Sequence, residues 1–187
     1  MKIWAIFKRE LQGFFYSPVA YIIFSSFLLV IGYLFWIVMV SSKMASLEPF
    51  FANAAFLLLL VSPMLTMRLI SEERRSNSIE LLLTSPITPV EIIMGKFLAC
   101  FALYLVLIVI TFEFPAIIYS YSDKLDWGPI ISGYIGLLLL SASFISLGLF
   151  ASSVSENQVT AAMISFGGLI LFWIVWMVRY AVEGPIG

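Results

Sequence analysis

The feature that most constrains this chain is the spacing of its charges, because long stretches carry none. The charge-free runs are Leu11–Ser42, Pro49–Met67, Phe97–Phe112, Trp127–Ser155 and Asn157–Val178. A helix needs about 20 apolar residues to cross a bilayer, within a range of about 17–25. The third run falls short of that and the others meet it. It becomes long enough if its helix continues past Glu113 towards Tyr119, which puts Glu113 at the outer edge of the hydrocarbon. Backbone polar groups find no partner in lipid, so every span must be helical. The expected fold is an all-α integral membrane protein, a helical bundle with five transmembrane helices. Residues 1–187 read as a single transmembrane domain.

Composition agrees with that reading. Hydrophobic residues make up 62% of the chain and charged residues 11%, against about 45–50% and about 25% in globular proteins. A net charge of −1 gives no electrostatic footprint for nucleic acid. The chain has no His, and Cys100 stands alone in an apolar run. That removes a disulfide framework and any His/Cys set for zinc or haem. Cys100 reads as a small apolar residue facing a neighbouring helix.

Orientation follows from Lys and Arg, which gather on the inner side of membranes. With the N-terminus inside, the inner segments hold Lys2, Lys8, Arg9, Arg68, Arg74, Arg75 and Lys96. The outer segments then hold Lys43, Lys124 and Arg179. The imbalance predicts a cytoplasmic N-terminus in a multi-pass protein of the cell membrane, and a cytoplasmic segment 68–96.

Residues 1–17 predict a short amphipathic helix. Ile3, Phe7, Leu11 and Phe14 share one face, with Lys8, Arg9 and Gln12 opposite. Such a helix lies in the headgroup plane. It reads either as an elbow leading into the first span or as a basic flank, with Pro18 marking the bend. The apolar stretch Val19–Val40 exceeds the 7–15 residues or so of a signal-peptide core and is expected to remain. Pro63, near the inner end of the second span, frees a carbonyl and bends a helix, either as a hinge or as a packing kink.

Segment 68–96 is the one long polar stretch between two spans. Arg68–Leu83 predicts one helix that starts with Glu72, Glu73, Arg74 and Arg75 and carries the apolar patch Ile79, Leu82 and Leu83. Pro86 ends it. Thr88-Pro89-Val90-Glu91 then reads as a capping box with Pro at the first helical position. The following helix runs through Gly95-Lys96 into the third span. Glu113 lies seventeen residues beyond Lys96, roughly 25 Å along a helix rising about 1.5 Å per residue. A membrane acid is a functional candidate, and solvation at the interface explains this one equally well. The fourth span is rich in small residues, including Gly133, Gly136, Ser141, Ser146 and Gly148, which permit close helix approach. Ser155-Glu156-Asn157-Gln158 predicts a second capping box, opening the fifth span.

In segment 68–96 the chain resembles the permease subunits of ABC-2 type transporters, particularly the gliding-motility and copper- or nitrous-oxide-reductase-maturation branch. The resemblance rests on Ser71-Glu72-Glu73-Arg74-Arg75, Ile79-Glu80-Leu81-Leu82-Leu83, Ser85-Pro86, and Glu91-Ile92-Ile93 with Gly95-Lys96. It extends in order along the whole chain. It implies that 68–96 forms a coupling hairpin that docks on a separate ATPase subunit, with Arg68, Glu72, Glu73, Arg74, Arg75, Glu80, Leu82 and Leu83 at the contact. Pro63, Asn77, Pro86 and Pro89 would supply the hinge and turns, with Asn77 standing where the family has Gly. It also implies a second permease subunit and a sixth span, which is absent from the five read here.

No G-x-x-x-x-G-K-[ST] pattern occurs, so ATP and Mg²⁺ would be bound by the partner and no cofactor by this chain. The leading expectation is therefore a non-enzymatic permease, an exporter subunit in contact with membrane lipid and without a nucleic-acid partner. Against it stand a membrane enzyme, an ion-coupled transporter or channel, and a non-transport membrane scaffold. An enzyme needs clustered carboxylates, His or Cys at one face, and here Glu72, Glu73 and Glu80 are interleaved with arginines. An ion-coupled carrier needs ionisable groups at mid-membrane or a repeated half, and only Glu113 approaches that. The spans offer no charged pocket, which favours a lipidic, peptidic or non-ionic cargo, or mechanical work without cargo.

Overall fold

The computed structural model describes residues 2–42, 47–75, 87–121 and 126–183, and every described element is helical. In chain order they are α1 (Lys2–Tyr16), α2 (Pro18–Ser42), α3 (Glu48–Thr66), α4 (Ser71–Arg75), α5 (Pro89–Ile110), α6 (Glu113–Tyr121), α7 (Trp127–Val154) and α8 (Gln158–Glu183). Five of the helical segments are long and apolar enough to cross a membrane. Asn77, Glu80, Leu82, Leu83 and Pro86 lie outside the described residues.

Local chemistry sets most boundaries. Ser17 separates α1 from α2, and its hydroxyl accepts from the Val19 N–H. Pro18 opens α2, where a missing N–H costs nothing. Thr88 caps α5 through a full capping box: the Glu91 N–H donates to the Thr88 hydroxyl, and the Thr88 N–H donates to the Glu91 carboxylate. Pro89 is then the first residue of α5. α3 runs through Pro63 and continues three residues further, to Thr66.

Three expectations need correction. The third span does continue past Glu113, to Ser120, but with a turn at Thr111-Phe112 between α5 and α6 rather than as one helix. Pro115 is the cause. Its ring has no N–H for the Thr111 carbonyl four residues back, and would collide with it in a continuous helix. The freed carbonyl accepts from the Phe114 N–H at 3.1 Å and from the Tyr134 hydroxyl of α7 at 2.9 Å. Glu113 is thereby the exposed first residue of α6. Second, α8 is capped by Asn157, whose side chain accepts from the Val159 N–H at 3.0 Å; Ser155 instead donates to the Asn157 carbonyl. Third, residues 67–70 form a turn, so the polar helix begins at Ser71 rather than Arg68.

The core lies around α7, which packs on α3, α5 and α8, with α2 and α8 also packed on α3. Leu58 and Leu59 of α3, Leu103 and Tyr104 of α5 and Ile145 of α7 are fully buried. Ser62 donates to the Leu58 carbonyl, so in its 2.7 Å bond with Tyr104 the tyrosine is the donor. At the far end Phe35, Phe50 and Phe114 form an aromatic triangle with ring centroids 4.8–6.3 Å apart.

Small residues decide how close the helices come. A Cβ on Gly148 would lie 2.1 Å from the Thr66 hydroxyl, whereas one on Gly136 of the same helix meets nothing within 4 Å. Gly148→Ala is therefore expected to destabilise the protein by about 1–3 kcal/mol through overpacking. Gly136→Ala gains helix propensity of up to about 1 kcal/mol. Thermal unfolding of the two variants in detergent should separate them in opposite directions.

Candidate functional site

The site begins with the way α1 is seated. The residues of α1 turned towards the protein are Ile3, Ile6, Phe7, Glu10, Leu11 and Phe14, with Ile6 the buried one. This stripe contains the expected Ile3–Phe7–Leu11–Phe14 face, opposite the exposed Lys8, Arg9 and Gln12, and widens it by Ile6 and by an acid, Glu10. The helix packs chiefly on α5. Gly95 makes this possible, since a Cβ there would lie 2.7 Å from the Ile6 side chain. One turn after Ile6, Glu10 is brought beside Lys96.

Lys96 lies on the buried face of α5 with Ala99, Cys100, Leu103 and Tyr104, and its side chain is only 1% exposed. An ammonium taken out of water needs compensating charge. It bonds Glu10 at 3.1 Å and Glu73 of α4 at 2.9 Å. Arg9 closes the ring, its Nη2 lying 2.8 Å from Glu10 and 2.9 Å from Glu73. Two cations and two carboxylates therefore alternate around a square that ties α1, α4 and α5 together. The hydrogen bond to Glu10, with the charges of Glu10 and Glu73, raises the Arg9 guanidinium above its ordinary value, so it stays charged at any physiological pH.

A second fastening holds α4 from the other side. Ser152 of α7 is fully buried. Its hydroxyl accepts from the N–H groups of Ile70 and Ser71 at 3.0 and 3.1 Å, and donates to the Met67 carbonyl at 3.1 Å. The Ser71 hydroxyl also donates to Met67. In an unbroken helix the N–H groups of Ile70 and Ser71 would bond Thr66 and Met67. Ser152 takes that place, which is why 67–70 can turn without leaving buried donors unpaired.

The structure thus brings Glu73 into the joint and leaves Arg68, Glu72, Arg74 and Arg75 exposed. Pro63 is buried in α3, Pro89 starts α5, and Glu113 lies at the Thr111–Phe112 break rather than in the joint. Sequence reasoning missed Glu10, Arg9, Lys96 and Ser152 as members of the site. The signal was present: Glu10 follows Ile3 and Ile6 at helical spacing, and Lys96 precedes Ala99, Cys100 and Leu103 likewise. A cleft of about 420 Å³ opens beside the square among α1, α2 and α3, with Arg9, Phe14, Val19, Met64 and Arg68 in its walls. A separate groove of about 450 Å³ joins Arg74 and Arg75 to Glu156 and Asn157 at the start of α8.

Bundle and joint define a multi-pass helical membrane protein whose polar segment is fastened to the spans by charge and by buried hydrogen bonds. The family model described as ABC-2 family transporter protein matches residues 4–184, and the chain belongs to that family. It is accordingly a membrane permease of an ABC transporter. Comparison with curated proteins finds no match to the chain.

Lys96→Met removes the buried cation and leaves Glu10 and Glu73 facing each other. It should cost about 3 kcal/mol, as breaking buried ion pairs does. Adding Glu73→Gln should recover part of that loss, with a coupling of about 1–3 kcal/mol in a double-mutant cycle read by thermal or denaturant unfolding. Ser152→Ala should cost about 1–3 kcal/mol by stranding two buried N–H groups.

Proposed function

We propose that the chain couples ATP hydrolysis by a separate ATPase subunit to movement of its spans, as an exporter permease of the gliding-motility or nitrous-oxide-reductase-maturation kind. Its charged end and N-terminus face the cytoplasm, where the excess of Lys and Arg belongs. ATP and Mg²⁺ are held by the partner. The permease works as a pair with a second permease subunit, surrounded by membrane lipid.

The observation that carries this reading is the division of α4 into two faces. Ser71 and Glu73 are fastened to the bundle, while Glu72, Arg74 and Arg75 are exposed. A partner that pushes on the exposed face moves a segment tied to α1, α5 and α7 together. Force applied there reaches the second and third spans without passing through a loose loop. Arg68, Glu72, Arg74 and Arg75 form the polar rim of the docking contact, and Glu80, Leu82 and Leu83 extend it. Leu82 and Leu83 are its apolar anchors, since docked surfaces depend on buried apolar groups more than on rim charge. The apolar make-up of the spans fits a lipidic, peptidic or non-ionic cargo, or work on an outer partner.

Arg74→Glu with Arg75→Glu is expected to reduce co-purification of the ATPase subunit at least tenfold while leaving membrane insertion intact. Leu82→Ala with Leu83→Ala, which typically costs a few kcal/mol at such a contact, is expected to abolish stimulation of that ATPase by the permease. Wild-type recovery and stimulation in both double variants would sink the docking assignment.

A further inference from the structure

We propose that the cleft beside the charge square binds the phosphodiester headgroup of a phospholipid. The inference goes beyond the permease assignment and stands whether or not the chain couples to an ATPase. The cleft holds about 420 Å³, within the range of about 300–1,000 Å³ usual for small-molecule sites. Its two walls differ in chemistry. Val19 and Ala20, from the first turn of α2, and Met64 and Leu65, from the last turn of α3, make the apolar wall. Arg9 and Arg68 stand on the polar wall.

The change from one wall to the other falls where α2 begins and α3 ends, at the close of the charge-free run that stops before Arg68, which is the level at which hydrocarbon gives way to headgroups. Both arginines have donors to offer. Arg68 is exposed and has no ion-pair partner among the described residues. Arg9 meets both of its carboxylates through Nη2 alone, and its side chain stays 55% exposed. A guanidinium fork matches phosphate oxygens in geometry as well as charge.

The charge balance of the lining selects among phosphate ligands. Arg9, Arg68 and Lys96 are offset by Glu10, Glu72 and Glu73, so the cleft exerts no strong net field on a free anion. A diester attached to acyl chains has a further source of affinity, because its first methylenes can lie along Val19 and Met64. Glu72 at the same mouth suits a headgroup that carries an ammonium, as phosphatidylethanolamine does. Gly13 also lines the cleft, and a Cβ there would meet no atom within 4 Å. The wall is therefore open at that point, and a Cβ can be added there without displacing protein.

The test is native mass spectrometry of the full chain in mild detergent, titrated with phosphatidylethanolamine, with diacylglycerol of the same chains, and with inorganic phosphate. The expected result is a phospholipid adduct whose apparent affinity falls about tenfold in Arg68→Gln and in Gly13→Leu. Gly13→Leu favours the helix and projects into open space, so its loss of lipid would not come from unfolding. Diacylglycerol should fail to compete, as should inorganic phosphate. Unchanged binding in either variant overturns the proposal. Equal competition by diacylglycerol overturns the phosphate contact, and equal competition by inorganic phosphate overturns the lipid in favour of a soluble-anion site.

Discussion

The arrangement of the charged end depends on one buried ammonium. Lys96 lies on the inward face of α5 with a side chain only 1% exposed, and a lone ammonium there would carry a desolvation penalty of several kcal/mol. Glu10 and Glu73 offset it, and each comes from a different helix. Neither α1 nor α4 can move away without leaving a charge behind. Arg9 shares both carboxylates from the outside, so the square is neutral as a whole. Surface ion pairs contribute little by themselves; this one matters because its central cation is almost wholly buried.

Shape makes the charges meet. Gly95 lets Ile6 approach α5 closely enough for Glu10 to reach Lys96, and Gly148 lets α7 approach Thr66 just ahead of the turn that Ser152 holds. In a membrane the hydrophobic effect gives helices little reason to prefer one another over lipid. Close packing and buried hydrogen bonds decide which ones associate. Here both occur at the same places. In the coupling proposed for this permease, that coincidence makes α1, α4 and the root of α5 respond as one body to a push on α4.

Much of the fold was legible in the sequence because the bilayer is a strict solvent. Charge-free runs of the right length can only be helices in lipid, and the Thr88–Glu91 capping box is a local pattern that forms where it is written. Two misreadings share a cause. The helix expected from Arg68 starts at Ser71, because Ser152, eighty-one residues away, takes the N–H groups that a continuous helix would have paired. The break at Thr111 was half legible: Pro115 forbids the helical bond, but Tyr134 is what satisfies the freed carbonyl.

The sequence by itself determined the membrane class, the approximate spans, the polar segment between the second and third of them, and the residues able to bear charge there. Those follow from the solvation of single residues and from contacts within a turn or two. Which charges pair was decided by tertiary structure. Lys96, counted along the chain as a surface marker of orientation, is the buried centre of the joint, and Glu10 on an amphipathic helix is its partner. Both keep helical spacing with apolar residues, a signal the expected Ile3–Phe7–Leu11–Phe14 face did not use, and spacing alone does not say which faces meet. Their meeting depends on Gly95 accepting Ile6, a contact between residues far apart in sequence that only the folded bundle brings into register.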